Sequence, residues 1–449
     1  MAVLDRSFCN EKWLDFFKNV KQRVLVSSMS DHAQLLIASD DIPKPRNIPF
    51  RLHSFWMENE SFISVVEDAW RGQFGGDRIF ILASKLKRVK GMLRPWVRST
   101  FPNLNDELKK VRLVLKEVQD MIEVAGMKNK LFNKEANAKI ALLKASQLHD
   151  KLWAEKAILG WIKDGDCNSK FCHLSVKLRR AKNQITTLRK EDCSWISDQS
   201  DIASYISQFY QRLHEASEIV VHSDLLESIP KVLEEDDVVD LEAAPSRDEI
   251  MLAVWDMDPP SSPDPDGFPG SFFRKCWPIV EDDFCRAVKK IFEAGQLPKG
   301  INNFFISFIP KVKEASSLDR FRPICMGNFF CKVLTKIMAS RLQVLLPRLI
   351  SDEQGAFHKG KIISANISMA FELSNMMHSV VRGGGMGLKL DVQKAFDSLS
   401  WDFLFTTLKK FSFSTSWISW VHQILVSSRV FVLVNGGPVG FFEVGCGLR

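Results

Sequence analysis

Two acids, Asp391 and Asp397, stand in the stretch Leu388-Lys389-Leu390-Asp391-Val392-Gln393-Lys394-Ala395-Phe396-Asp397. Leu388, Leu390 and Val392 alternate with Lys389 and Asp391, the pattern of a β-strand with one buried edge, so Asp391 is expected at a fixed height on a rigid strand. A carboxylate held in that way suits a divalent ion that must be kept against phosphates. A plain surface acid beside Lys389 and Lys394 is the other reading. Asp397 either supports the same site or caps a helix expected to begin near Ser398 to Trp401.

Other residues with chemical potential lie far from this stretch. Asp31-His32 follows Ser27-Ser28-Met29-Ser30 between two short apolar runs, Val24 to Val26 and Leu35 to Ile37, which read as strands. A loop delivering an acid and an imidazole together fits acid/base work, and an ordinary turn fits it too. Between Lys170 and Lys190 there are seven basic residues and no acid: Lys170, Lys177, Arg179, Arg180, Lys182, Arg189 and Lys190. Such a run is either a solvated helix face or a set of phosphate contacts whose affinity falls with salt. His173 and Cys172 are too isolated to form a metal site. Phe304 to Pro310 reads as an apolar strand ending in Lys311, and Phe321-Arg322-Pro323-Ile324 as a second strand returning beside it. That hairpin would offer Lys311 and Arg322 to a triphosphate, with Arg320 as a third cation.

The elements that must carry these residues are mostly helical. Apolar spacing predicts two short helices over Phe50 to Trp70, and a basic helix over 79–98 that ends near Pro95. A helical hairpin is expected over 105–161, bending near Gly126 and Asn129. Glu234 to Asp237 reads as an acidic surface loop, and Ser246 as the cap of a helix reaching Trp255. Pro259 to Phe268 requires an extended loop. An amphipathic helix from Phe329 should stop at Pro347, with Lys332, Lys336 and Arg341 turned outward. After Asp391 the pattern gives two helices, 401–411 and 416–427. A strand over 429–435, the hairpin turn Asn435-Gly436-Gly437 and a return strand over 441–444 follow.

The chain has 449 residues, enough for two or three domains, and a net charge of +7 that favours a polyanionic partner without naming it. Nine cysteines show no C-x-x-C pair and read as reduced thiols. No apolar run is long enough to span a membrane, and the first 30 residues lack the core of a signal peptide, so an intracellular place, nucleus or cytoplasm, is expected rather than secretion. The aromatic set is skewed, with 33 Phe and 12 Trp against 2 Tyr, a bias that packing alone does not explain.

Asp391-x-x-x-Ala395-Phe396-Asp397 closely resembles the first catalytic motif of reverse transcriptases from non-LTR retrotransposons, the plant LINE type especially. In that family the Asp binds both catalytic metals, and the aromatic residue packs where a ribose 2′-OH would sit. The resemblance thus implies those roles for Asp391 and Phe396, with Mg2+ as the cofactor and Mn2+ as its substitute. Ile309-Pro310-Lys311 and Phe321-Arg322-Pro323-Ile324 resemble the family's fingers motifs, whose cations contact the nucleotide. Gly165-Asp166-x-Asn168-x-Lys170-Phe171-x-His173 with Arg179-Arg180 resembles an element that engages template RNA. Pro263, Pro265, Asp266, Gly267 and Phe268 keep a family loop in which Ser261 replaces Lys and Asp264 replaces Gly, and Cys446 stands where Arg is common. Leu4-Asp5-Arg6, Trp13 and Ser30-Asp31-His32 resemble the end of an apurinic/apyrimidinic-type endonuclease domain. There the acid matching Asp5 orients the imidazole matching His32, and the one matching Asp31 sets up the nucleophile or metal.

The resemblance implies an α+β chain: an endonuclease remnant over 1–40, a mainly helical connecting region with the basic patch over 41–240, and partial right-hand polymerase fingers and palm over 241–449, incomplete at the C-terminus. The implied activity is copying of template RNA by two-metal nucleotidyl transfer, with RNA template, DNA target or primer and deoxynucleotide triphosphates as partners. Arg449 falls just before the family's Gln-Gly-Asp-Pro loop and paired aspartates, so this stretch alone is expected to be inactive. A noncatalytic nucleic-acid-binding protein and an unstable degenerate product are the alternatives.

Overall fold

The computed structural model describes residues 8–10, 13, 16–17, 20–24, 35–39, 45, 47–126, 128–157, 170–216, 223–258, 264–312, 315–356, 360–377, 386–392 and 394–448. Strands β1 (Val20–Val24) and β2 (Leu35–Ser39) pair antiparallel, with Gln22 opposite Ile37. The two strands expected there exist, the first a few residues earlier than its apolar run suggested.

Helices then dominate. A 3-10 turn, Ser54–Glu58, leads into helix Ser61–Trp70 and the long helix Arg78–Thr100. Pro95 lies inside that last helix instead of ending it. Its missing N–H and its ring clash disfavour this position, but Trp96 holds the last turn by donating to Ser61 Oγ at 3.0 Å and packing edge-on against Phe62 and Phe101. The expected helical hairpin is present as Leu104–Ala125 and Asn129–Ala157, turning at Gly126 with φ 71°. Two rungs fix it as antiparallel: Gln119 donates to Glu135 at 3.2 Å, and Asn105 meets the ring of His149 at 3.0 Å.

After helix Lys170–Asn183, β3 (Leu188–Arg189) and β4 (Trp195–Ile196) make a small hairpin before helix Gln199–Leu213. The main sheet has four strands, β5 (Asn303–Pro310), β6 (Phe321–Gly327), β7 (Arg429–Val434) and β8 (Gly437–Glu443), in the order β6-β5-β7-β8. Only β5 and β7 run parallel, with Asn303 opposite Arg429, and Ile309 faces Arg322 across the β5–β6 hairpin. Asn435 and Gly436 take positive φ, 51° and 92°, as the tight turn between β7 and β8 requires.

Two apolar clusters hold these parts. The larger is helical and centres on rings read from sequence only as an excess of Phe: Phe273 stacks on Phe329 at 4.4 Å, and Phe268, Phe272 and Phe284 close around them, all nearly inaccessible. The smaller lies on the sheet, where Ile202, Ile206 and Tyr210 of helix Gln199–Leu213 cover Ile306, Phe308, Val432 and Phe442. Buried Asn302 joins the two, its Nδ2 donating to Ile424 O, Ser427 Oγ and Ser428 Oγ.

Several expectations are corrected. Glu234 to Asp237 begin helix Glu235–Glu242 rather than a loop. Acids suit the positive end of a helix dipole, and Asp237 accepts from the Glu234 N–H at 2.9 Å and pairs with Arg348. Pro347 lies within helix Phe329–Leu349. The cations of that helix pair with acids, Lys332 with Asp264 and Lys336 with Asp256 while both stay partly exposed, and only Arg341 turns inward, gripping both oxygens of Glu249 and donating to the carbonyls of Leu241 and Ala243. Ser246 caps its helix as read, accepting from Glu249 N at 3.0 Å.

Candidate nucleotide and nucleic-acid interface

Residues 386–392 form no strand. Leu388, Leu390 and Val392 are 76%, 88% and 72% exposed, so the alternation that suggested a buried edge has nothing to lie against among the described residues. Asp391 is therefore on an exposed segment without regular structure rather than a rigid sheet. The turn after it is better held. Lys394 adopts φ 52° and its carbonyl accepts from Asp397 N at 2.8 Å, while its Nζ lies 4.8 Å from the centre of the Phe209 ring. Asp397 is buried, and Ser400, not Asp397, caps helix Trp401–Lys410.

The exit of β8 stitches this turn to helix Gln199–Leu213. Leu448 N donates to Phe396 O at 2.8 Å, Gly447 N to Leu399 O at 2.8 Å, and Trp401 Nε1 to Gly447 O at 2.7 Å. Gly447 has φ 83°, and a Cβ there would meet Asp397 O at 2.7 Å, so this close approach depends on glycine. The sulfur of Cys446 lies 3.5, 3.4 and 3.6 Å from the carbonyls of Leu213, Glu215 and Asp397. One S–H serves one carbonyl at a time, whereas a guanidinium carries five donors. Burial pushes the thiol upward, and the charge of Asp397 adds to that. Phe396 is about half exposed, with its backbone carbonyl fixed by Leu448.

At the other end of the sheet the cations gather. Lys311 extends β5, its N–H donating to Arg320 O and its Nζ to Asp319 O, both at 2.8 Å, and Arg320 and Arg322 are exposed beside it. Arg189 joins them because its N–H donates to Ser316 O in the β5–β6 connection at 2.6 Å. Lys190 follows, with its Nζ 5.9 Å from the ring centre of Tyr205. The far end of the basic run thus meets the β5–β6 connection, a juxtaposition that their distance in sequence hides.

The rest of the run is divided. Arg179 is engaged, donating to Lys156 O at 2.6 Å, whereas Arg180 and Lys182 are exposed. Lys177 is half-buried, and the Lys170 side chain lies outside the described residues. Arg180 also belongs to a group that sequence reading missed. Burial first, and then Arg180, holds both Arg51 and Lys156 below their usual values, so the three share one field. Nothing local marks Arg51, since its partners lie more than 100 residues on.

Not every candidate converges. Register puts Lys311 and Arg322 at one end of β5, whereas β8 leaves the sheet toward Phe396 from Glu443, opposite Arg429 and hence at the Asn303 end. Asp5, Asp31 and His32 lie outside the described residues. Among the described residues no three His, Cys, Asp or Glu side chains stand close enough to hold a metal ion. Asp391 and the buried Asp397 do not make a divalent-ion site by themselves. No helix of the described residues is long and apolar enough to cross a membrane.

Comparison with known proteins gives this geometry a context. Residues 309–449 match the family model of the reverse transcriptase (RNA-dependent DNA polymerase). The chain is 24% identical over 438 residues to the Transposon TX1 uncharacterized 149 kDa protein of Xenopus laevis, which covers 95% of this chain and 33% of that protein. It is 29% identical over 160 residues to the retrovirus-related Pol polyprotein from type-1 retrotransposable element R1 of Bradysia coprophila, 34% of this chain and 15% of that one. Against the corresponding polyprotein from type-2 retrotransposable element R2DM of Drosophila melanogaster it is 29% identical over 166 residues, 36% of this chain and 15% of that one. The chain spans a third or less of the length of these relatives.

Proposed function

Residues 309–449 carry a reverse transcriptase domain of the LINE type, and from that premise we propose that the protein serves RNA-directed DNA synthesis by gripping template RNA and the incoming deoxynucleotide triphosphate. The supporting observation is the hydrogen bond from Arg189 N to Ser316 O, which sets Arg189 and Lys190 beside the hairpin that carries Lys311, Arg320 and Arg322 where that domain begins. Arg320 and Arg322 can take phosphate oxygens two at a time, and Lys311 supplies a mobile point charge. Arg180 and Lys182, with Arg51 and Lys156 near Arg180, extend the field along the template. Phe396 is assigned to crowding a ribose 2′-OH. Mg2+, or Mn2+ in its place, is the ion that such phosphoryl chemistry uses, and Asp391 is the exposed carboxylate assigned to face it. The described residues do not complete that site.

Anisotropy of a labelled RNA–DNA primer-template across a salt series tests the reading. Removing two phosphate contacts with Arg320→Ala and Arg322→Ala together should weaken binding and lower the salt slope by about two. An affinity indifferent to salt and to these substitutions would overturn it. The dispersed acids favour a second reading, nucleic-acid binding without catalysis. Deoxynucleotide incorporation on primed RNA, abolished by Asp391→Ala, would decide against that second reading.

A further inference from the structure

The register of the small hairpin β3–β4 decides which of its side chains meet solvent. Leu188 lies opposite Ile196, and Arg189 opposite Trp195. Directly opposed residues of an antiparallel pair share one face of the sheet. Leu188 is fully buried and Ile196 packs with it on the smaller core, so the alternation of a strand sends Arg189 and Trp195 to the outer face, where both are exposed. Lys190 N donates to Ser194 O at 2.8 Å, which makes the next pair, Arg189 and Trp195, the non-hydrogen-bonded kind, whose side chains stand closest.

The pair is carried on a fixed support. Glu191 N donates to the hydroxyl of Tyr205 at 3.3 Å, and Arg189 N to Ser316 O at 2.6 Å, so the hairpin is tied to helix Gln199–Leu213 and to the β5–β6 connection. Cys193 N closes the turn on Lys190 O at 3.1 Å, and Asp192 accepts from Ser194 N at 2.9 Å and from its Oγ at 2.6 Å. Those bonds from Ser194 hold the Asp192 carboxyl below its usual range. The tip, with Glu191 and Asp192, therefore repels a polyanion, while the level of Arg189 and Trp195 attracts one.

Trp195 is 58% exposed, which leaves the ring accessible to a ligand. Ser194, Ser197 and Asp198 around it in sequence are exposed and polar, whereas a protein-binding face surrounds its aromatic anchors with further apolar contact. A single accessible ring beside an exposed guanidinium suits a base joined to its phosphate. We propose that Trp195 stacks an unpaired base of single-stranded template RNA while Arg189 holds a neighbouring phosphate. The proposal rests on the RNA-handling reading above and deepens it: the chain grips the template by a base as well as by its backbone. Such stacking tolerates sequence, because every base has a face to offer.

The test uses the full chain and three labelled RNA–DNA duplexes: one with a single-stranded overhang on the RNA, one with the overhang on the DNA, and one blunt. Trp195→Ala should weaken binding of the RNA overhang roughly tenfold, at an unchanged melting temperature and salt slope, and leave the blunt duplex unaffected. Trp195→Phe should restore most of the affinity, and Trp195→Leu, apolar without a π-face, should not. Arg189→Ala should lower the salt slope by about one. A 4-thiouridine in the overhang should crosslink to Trp195. Sensitivity to Trp195→Ala on the DNA overhang alone would keep the stacking site and overturn its assignment to the template. Full affinity in Trp195→Ala, with Arg320→Ala and Arg322→Ala still weakening binding, overturns the stacking site alone, as does a change in self-association by size exclusion at unaltered RNA affinity. A wild-type chain that binds none of the duplexes overturns both this inference and the reading beneath it.

Discussion

Helices Phe329–Leu349 and Ile363–Met376 are both rich in apolar residues, yet the first buries eight side chains and the second none. The difference lies in what stands opposite. Phe329 meets the stacked ring of Phe273, and its neighbour Phe330 sits edge-on to Phe284 at 5.4 Å, while Ile367 and Phe371 face outward with the equally exposed Leu388, Leu390 and Val392 nearby in sequence. Hydrophobic periodicity specifies an element, but burial requires a complementary surface, which a single segment does not encode. The same distinction separates the two parts of the candidate interface. Lys311, Arg320 and Arg322 sit on a paired hairpin, whereas Asp391 stands on a segment with no strand beside it among the described residues.

The largest expected effect comes from the buried side of the comparison. Phe273→Ala should cost about 3–5 kcal/mol, because the cavity left beneath Phe329 cannot collapse in a rigid ring cluster. Urea denaturation measures it, and a loss under 1 kcal/mol would mean that the cluster is looser than its geometry. A smaller effect involves the same core. Burial raises Asp264 to about 7, with Lys332 pulling the other way, and burial raises Asp266 to about 6. A folded carboxyl that holds its proton more tightly than the unfolded one makes stability fall as pH climbs from about 4 to 7 and level off above. Asp264→Asn should remove much of that decline, of order 2 kcal/mol across the window; melting temperatures at pH 5, 6 and 7.5 would reveal an unchanged slope if the carboxyl is not the cause. Smallest of all, Phe371→Ala on the exposed helix should change stability by less than about 0.5 kcal/mol. A core-sized loss there would erase the contrast.

Sequence reading found what local rules control. The β5–β6 and β7–β8 hairpins, the Asn435-Gly436 turn, the Ser246 cap and the helical hairpin around Gly126 all follow from short-range periodicity and turn chemistry. It failed where distant packing decides. Trp96 and its partners carry a helix through Pro95, Arg341 turns inward because Glu249 and two carbonyls await it, and Arg51 and Lys156 share the field of Arg180 only after folding. The approach of Arg189 to the β5–β6 connection was invisible for the same reason. It depends on one backbone hydrogen bond between segments that sequence alone gives no reason to pair.

The side chain of Asn435 closes on the backbone of Ile185, accepting from its N–H and donating to its carbonyl at 2.9 Å each, and it also donates to Gln199 at 2.6 Å. That clasp spans 250 positions. At roughly 5–20 residues per second, a ribosome takes on the order of 10–50 s to make the intervening chain. For much of that interval helix Gln199–Leu213 has been made without β5 and β6, and to its end without the β7–β8 hairpin. The helical core can assemble largely ahead of it, so the nascent protein passes through a stage with one half consolidated and the other awaiting its final hairpin, when a chaperone would matter most.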